Sequence, residues 1–221
     1  MHAGGYLLSE NFGTYFSKMP EALYPMGVAA AKMTKTNKLG YVGAFPIGFA
    51  LAKVNAFTLG AQSVNPDIET HVVFTFSWVD RAKEAAATNA LLDQGVDVIT
   101  MHVDSPSTII QTTEAAGAYS IGFQSLAAQQ FAPKGWITGL GFNWEPVMTE
   151  TAQQVLDGTW KSQHIRKGLG EDYMVIAPFG AEVPEDVQQL VLSVADKIGT
   201  GELKAFAGPL IDQDGTARAR R

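Results

Sequence analysis

The side chains best suited to chemistry lie where an apolar run ends, in Gly95-Val-Asp-Val-Ile-Thr-Met-His-Val-Asp-Ser-Pro-Ser107. His102 and Asp104 are two residues apart, so on a strand they share one face. Such a pair could bind a metal or move a proton. No nucleophile or third ligand follows at a useful spacing, and the chain carries no G-x-G-x-x-G, Walker A, G-x-S-x-G or H-E-x-x-H pattern. An enzyme using His102 and Asp104 is therefore the weakest of the functional expectations. Asp104 suits a simpler role as a fixed acceptor for an amine or ring N–H of a ligand. The competing role is to cap the helix that Pro106 opens, with Ser105 as the rival cap.

Two indoles join this carboxylate. Trp78 follows one predicted strand and Trp144 another, so both fall at the same sheet edge as Asp104. Flat rings with one directional acceptor suit a planar nitrogen heterocycle. Each Trp could equally pack beneath a helix, and Gln124 is either a pocket residue or part of a surface turn. Trp136 and Trp160 have no such placement and are expected to be structural.

The elements that hold these residues alternate. Strands are predicted at 39–45, 71–76, 96–101, 118–122, 136–142, 173–177 and 204–207. Helices are predicted after Phe45, from Asp80 to Gly95, at 106–116, after Trp144 and from Pro184 to Gly199, with an Ala- and Met-rich helix at 20–33. Residues 159–172 are expected to be a loop or a crossing segment. Alternation of this kind gives an α/β fold, a parallel sheet between two helical layers, with ligands at the carboxyl ends of the strands.

Composition limits the alternatives. Hydrophobic residues make up 46% and charged residues 17% of the 221, an ordinary globular balance. The net charge of −6 and the lack of a basic stripe argue against nucleic acid. Arg218, Arg220 and Arg221 are expected to be a frayed tail. With no cysteine, disulfides and thiolate metal sites are excluded. No apolar stretch is long enough to span a bilayer, and the first residues show no signal-peptide pattern.

A set of ordered segments resembles the basic membrane protein (BMP) family of ABC-transporter substrate-binding lipoproteins. They include Asn11-Phe-Gly-Thr-Tyr-Phe16, Gly40-Tyr-Val-Gly-Ala-Phe-Pro-Ile47, Val54-Asn-Ala-Phe-Thr-Leu-Gly60, Ser77-Trp78, Asp93-Gln-Gly-Val-Asp-Val-Ile99, Asp104-Ser105, Leu156-Asp-Gly-Thr-Trp-Lys-Ser162 and Ala177-Pro-Phe-Gly180. The resemblance implies a type 1 periplasmic-binding-protein fold, two lobes closing on a ligand. It implies a purine nucleobase or nucleoside as cargo, a permease as partner, no cofactor and no reaction. It also implies an extracytoplasmic location, with membrane contact only through a lipid anchor or the permease. By position it assigns Trp78, Asp104, Ser105, Asn143 and Trp144 to the pocket. Gly48-Phe49 departs from the family's common Pro-Glu.

The resemblance begins late in the family's first lobe. Residues 1–37 are then expected to be a remnant of that lobe, 38–142 the second lobe, and 143–221 the hinge crossings and the completion of both. Helices 20–33 and 145–157 should leave apolar surface uncovered. A truncated fragment that binds nothing, or a ligand-sensing regulatory domain, are the other readings.

Overall fold

The computed structural model describes residues 1–212 and 214–218. Arg220 and Arg221 of the expected tail lie outside them. The main sheet has six strands. In chain order these are β3 (Lys38–Gly43), β4 (Glu69–Phe74), β5 (Val98–His102), β6 (Tyr119–Gln124), β7 (Trp136–Phe142) and β9 (Met174–Ile176). They lie in the order β4-β3-β5-β6-β7-β9. The first five are parallel, as expected, but β9 pairs antiparallel with β7. The inner strands are closed to water, as a parallel sheet sandwiched by helices requires: every residue of β5 is buried.

The helices occupy both faces. Helices α3 (Arg81–Leu92) and α4 (Pro106–Ala115) pack together against β3 to β6. On the other face α1 (Met19–Met33) packs between α2 (Gly48–Gln62) and α6 (Glu185–Gly199) and reaches β6 and β7. The α1–α2 crossing is close enough to demand glycine. A Cβ at Gly27 would stand 1.9 Å from the Phe57 carbonyl oxygen, and one at Gly60 2.0 Å from that of Tyr24. The expectation that helix 20–33 leaves its apolar side open is therefore corrected. Ala22, Leu23, Met26, Ala29 and Ala30 are all 0–1% exposed, in the main core.

A second sheet of three parallel strands, β1 (His2–Ala3), β2 (Thr14–Ser17) and β8 (His164–Lys167), stands apart, with β2 central. Strand β8 and a single 3-10 turn at Leu169–Glu171 occupy the segment expected to be a loop or a crossing segment. Packing changes at the Ser17–Met19 junction, where the chain passes from the small sheet into α1. Helix α5 (Glu145–Leu156) links the two sheets and buries only Val147. Here the expected uncovered surface is present: Met148, Val155 and Leu156 are 43%, 60% and 80% exposed. The strand expected at 204–207 is absent, replaced by a turn with Ala207 N–H donating to the Lys204 carbonyl. A hairpin of β10 (Leu210–Ile211) and β11 (Ala217–Arg218) follows, where Arg218 Nε donates to Asp212 Oδ2 at 2.7 Å. Arg218 is therefore pinned rather than frayed.

Candidate functional site

The strand order places a topological switch point between β3 and β5. The chain leaves β3 for β4 on one side, then crosses back to β5 on the other. Connections diverge there, leaving a crevice beyond the strand ends, the usual ligand position in open α/β sheets. His102 ends β5 at this point, and Asp104 and Ser105 follow.

Asp104 is exposed, and its backbone N–H donates to the Trp78 carbonyl at 2.8 Å. One bond thus ties the loop after β4 to the end of β5 and holds indole and carboxylate together. Neither Asp104 nor Ser105 caps α4; Ser105 sits at the N-cap position without a side-chain bond to the helix. The Ser105 hydroxyl donates instead to Glu84 Oε1 at 2.5 Å. Glu84 is fully buried near the start of α3, whose cap is Asp80, as the sequence indicated. Ser105 thus braces α3, while the Asp104 carboxylate accepts no hydrogen bond from the described residues and remains open to a ligand.

The strand ends carry an unbroken chain of rings. Trp78 lies 5.3 Å from His102 by ring centroid, His102 5.2 Å from Phe123, and Phe123 6.1 Å from Phe142. Phe142 stacks on Trp144 at 4.7 Å. Trp144 meets Tyr15 of β2 edge-on at 5.2 Å, so the chain continues into the small sheet. Beyond Trp78 it reaches Phe45, Phe49 and Phe76. Trp78 and Trp144 therefore stand at opposite ends of a ladder with three rings between them, and one base cannot stack on both. Asn143 donates its backbone N–H to the Tyr173 carbonyl at 3.0 Å, and its side-chain amide has no partner among the described residues. Gln124 ends β6 at a φ of 70°, half-buried, its amide equally unpartnered. Trp136 is structural, 1% exposed with its indole N–H donating to the Pro178 carbonyl.

Beneath the rings lies a residue that the sequence reading missed. Lys53 is 0% exposed, its Nζ 2.8 and 3.0 Å from the two ring nitrogens of His102. It lies 4.6 Å from the Phe49 ring centroid and 5.1 Å from that of Phe123. Burial pulls the lysine down to about 6, against a smaller upward pull from Asp104. Burial first, then the neighbouring lysine, pushes His102 down to about 3, so its ring is neutral at ordinary pH. The signal was present: Lys53 is the one charged residue of α2 and lies three residues after Ala50 on the buried face.

Among the described residues no group of three or more His, Asp or Glu side chains could hold a metal ion. A cavity of about 310 Å³ lies away from the strand ends, between the start of α1, the 169–171 turn and the end of α6. The switch point has the better chemistry, with rings, an open carboxylate and free amides.

Comparison with known proteins places this architecture. The chain is 42% identical to a purine-binding protein of Brucella abortus over 97% of its own length and 61% of that protein's. It is 31% identical to a Haloferax volcanii protein named as an ABC transporter glucose-binding protein, over 94% of this chain and 52% of that one. The chain thus spans between half and three-fifths of these relatives. A solved solute-binding protein of Aeropyrum pernix superposes with a TM-score of 0.79 at 18% identity, covering 96% of this chain and 71% of that one, which shows the fold. The family model for Bmp, described as ABC transporter substrate-binding protein PnrA-like, matches residues 1–205, and the chain belongs to that family.

Proposed function

We propose that this chain supplies the ligand-holding lobe of an extracytoplasmic solute-binding protein that delivers a purine nucleobase or nucleoside to an ABC permease, without acting on it chemically. The observation that carries the reading is the Asp104 N–H bond to the Trp78 carbonyl, which fixes an open carboxylate beside an indole at the switch point. Asp104 accepts from the amino or ring N–H edge of the base, and Trp78 borders its face. Asn143 and Trp144, at the far end of the ladder, meet the sugar of a nucleoside, with the Gln124 amide between the two ends. Ser105 acts by holding α3 in place. The Brucella relative supports the cargo; the Haloferax relative makes a sugar the competitor.

The small sheet and α5 then belong to the first lobe, and the crossings near residues 18, 143 and 168 form the hinge. Closure of the lobes is an equilibrium that ligand shifts by binding the closed form better. Titration calorimetry with adenine, adenosine, guanosine and glucose tests the cargo. Purine binding weakened at least about tenfold by Asp104→Ala, the order of one lost charge-assisted bond, is the expected result. Glucose binding without purine binding would replace the assignment.

A further inference from the structure

The ring ladder covers a buried lysine that the proposed binding does not otherwise use. Lys53 reaches the switch point from α2, the helix that follows β3, and its amine ends under the rings rather than in the crevice. A lysine almost never enters a core without an acid partner, and Lys53 has no carboxylate within salt-bridge distance among the described residues. Its neighbours are few. On β5, His102 offers its two ring nitrogens; just past β5, Asp104 acts on the amine through space. From α1 comes only Met19 Sδ at 3.8 Å, and from β6 and α2 itself only the Phe123 and Phe49 rings, none of which titrates. Asp104 is thus the nearby acid that influences Lys53, and it is exposed to water that screens the pair.

We propose that Lys53 and His102 are positioning residues for Asp104, and that covering Asp104 with ligand is coupled to protonation of Lys53. The argument rests on the reading of Asp104 as a ligand contact. A ligand seated on Asp104 expels the screening water. Lys53 is already dry, so the ligand adds no further desolvation to it. Only the attraction between carboxylate and amine changes, and it grows in the drier surroundings. The bound state therefore holds the lysine proton more tightly than the free state. His102 stays neutral and accepts from the ammonium through a ring nitrogen. Affinity is full below the free Lys53 value, near 6, and is lost as pH rises through the higher bound value.

Calorimetry with adenine tests this in two buffers of different ionisation heat across pH 6 to 8. Wild type should take up protons on binding, and its affinity should fall about tenfold across the window for each unit by which binding raises the lysine value. Lys53→Met, which keeps the volume and loses the charge, should bind with no uptake and a flat profile. Uptake that persists in Lys53→Met, or is missing in a wild type that binds adenine, overturns the proposal. If wild type binds no adenine, adenine is not the cargo, and the coupling is still decided on the free protein. NMR titration of the lysine side chains should show the Lys53 midpoint lowered by Asp104→Asn. A lowered midpoint supports the coupling for a ligand of other chemistry; an unmoved midpoint overturns it.

Discussion

Helices α1 and α5 both flank the junction between the two sheets, both carry apolar rows, and they meet opposite fates. Helix α1 is nine-residue deep in the core and so close to α2 that glycine is required at the crossing. Helix α5 buries one residue and turns Val155 and Leu156 outward. The sequence reading treats them alike, because both are expected to pack against the first lobe. The difference is in side-chain size. Gly27, Ala29 and Ala30 give α1 a smooth surface that two other helices can approach closely. The row on α5 consists of larger side chains, Met148, Val155 and Leu156, that need a partner with depth to receive them. Small residues therefore mark the helix already packed within this chain, and the larger exposed row marks the one that faces outward.

The sharpest way to break this contrast is to add bulk at the α1–α2 crossing. Gly27→Val forces a side chain into the backbone of Phe57 and should cost about 3 kcal/mol or more, whereas Ala152→Val on α5 should cost about 0.5 kcal/mol or less. Urea unfolding of both variants is the check, and equal costs would dissolve the distinction. Next in size is Lys53→Met. Replacing a buried, desolvated amine by an apolar side chain of like volume should stabilise the protein by about 1–4 kcal/mol. The same substitution changes the pH dependence in a defined direction. Burial holds Lys53 below its ordinary 10.5, so between about 6 and 10.5 the unfolded chain carries the extra proton, and wild-type stability should rise with pH over that range. Thermal melts of Lys53→Met should lose that slope. The lowered His102 acts at the acid end, its contribution falling away as pH drops below 6.5 toward 3.

The smallest expected effect is on α5. Leu156→Glu should leave stability within about 0.5 kcal/mol while reducing self-association through an apolar patch, measured by sedimentation. A loss comparable to that at Gly27 would mean that α5 is covered in solution.

Much of this architecture was legible in the chain. Strands β3 to β7 are marked by apolar runs between glycine stops and helix caps, and Asp80 caps α3 as its position suggested. The carboxylate and the two indoles fall at the strand ends because the alternation of elements fixes which ends share an edge. What was hidden depends on contacts distant in sequence. Strands β2 and β8 are four residues each, Thr14–Ser17 and His164–Lys167, and gain strand character only by pairing across 150 positions. The segment at 204–207 alternates Ala and Phe in a strand-like way but pairs with no strand among the described residues. His102 was noticed for its proximity to Asp104 in sequence, while its hydrogen-bonding partner, Lys53, lies 49 positions away on another element.

The ring ladder gives the molecule a built-in optical readout. Trp144 is wedged between Phe142 of the main sheet and Tyr15 of the small one, so a rotation between the sheets alters the stacking around its indole. Trp78 sits at the other end beside His102, the ring that contacts the lysine whose charge changes with pH. Trp136, sealed in the core, supplies a constant background. Tryptophan emission from Trp78→Phe and Trp144→Phe variants would then separate two signals, one following the hinge and the other the proton, with no dye attached.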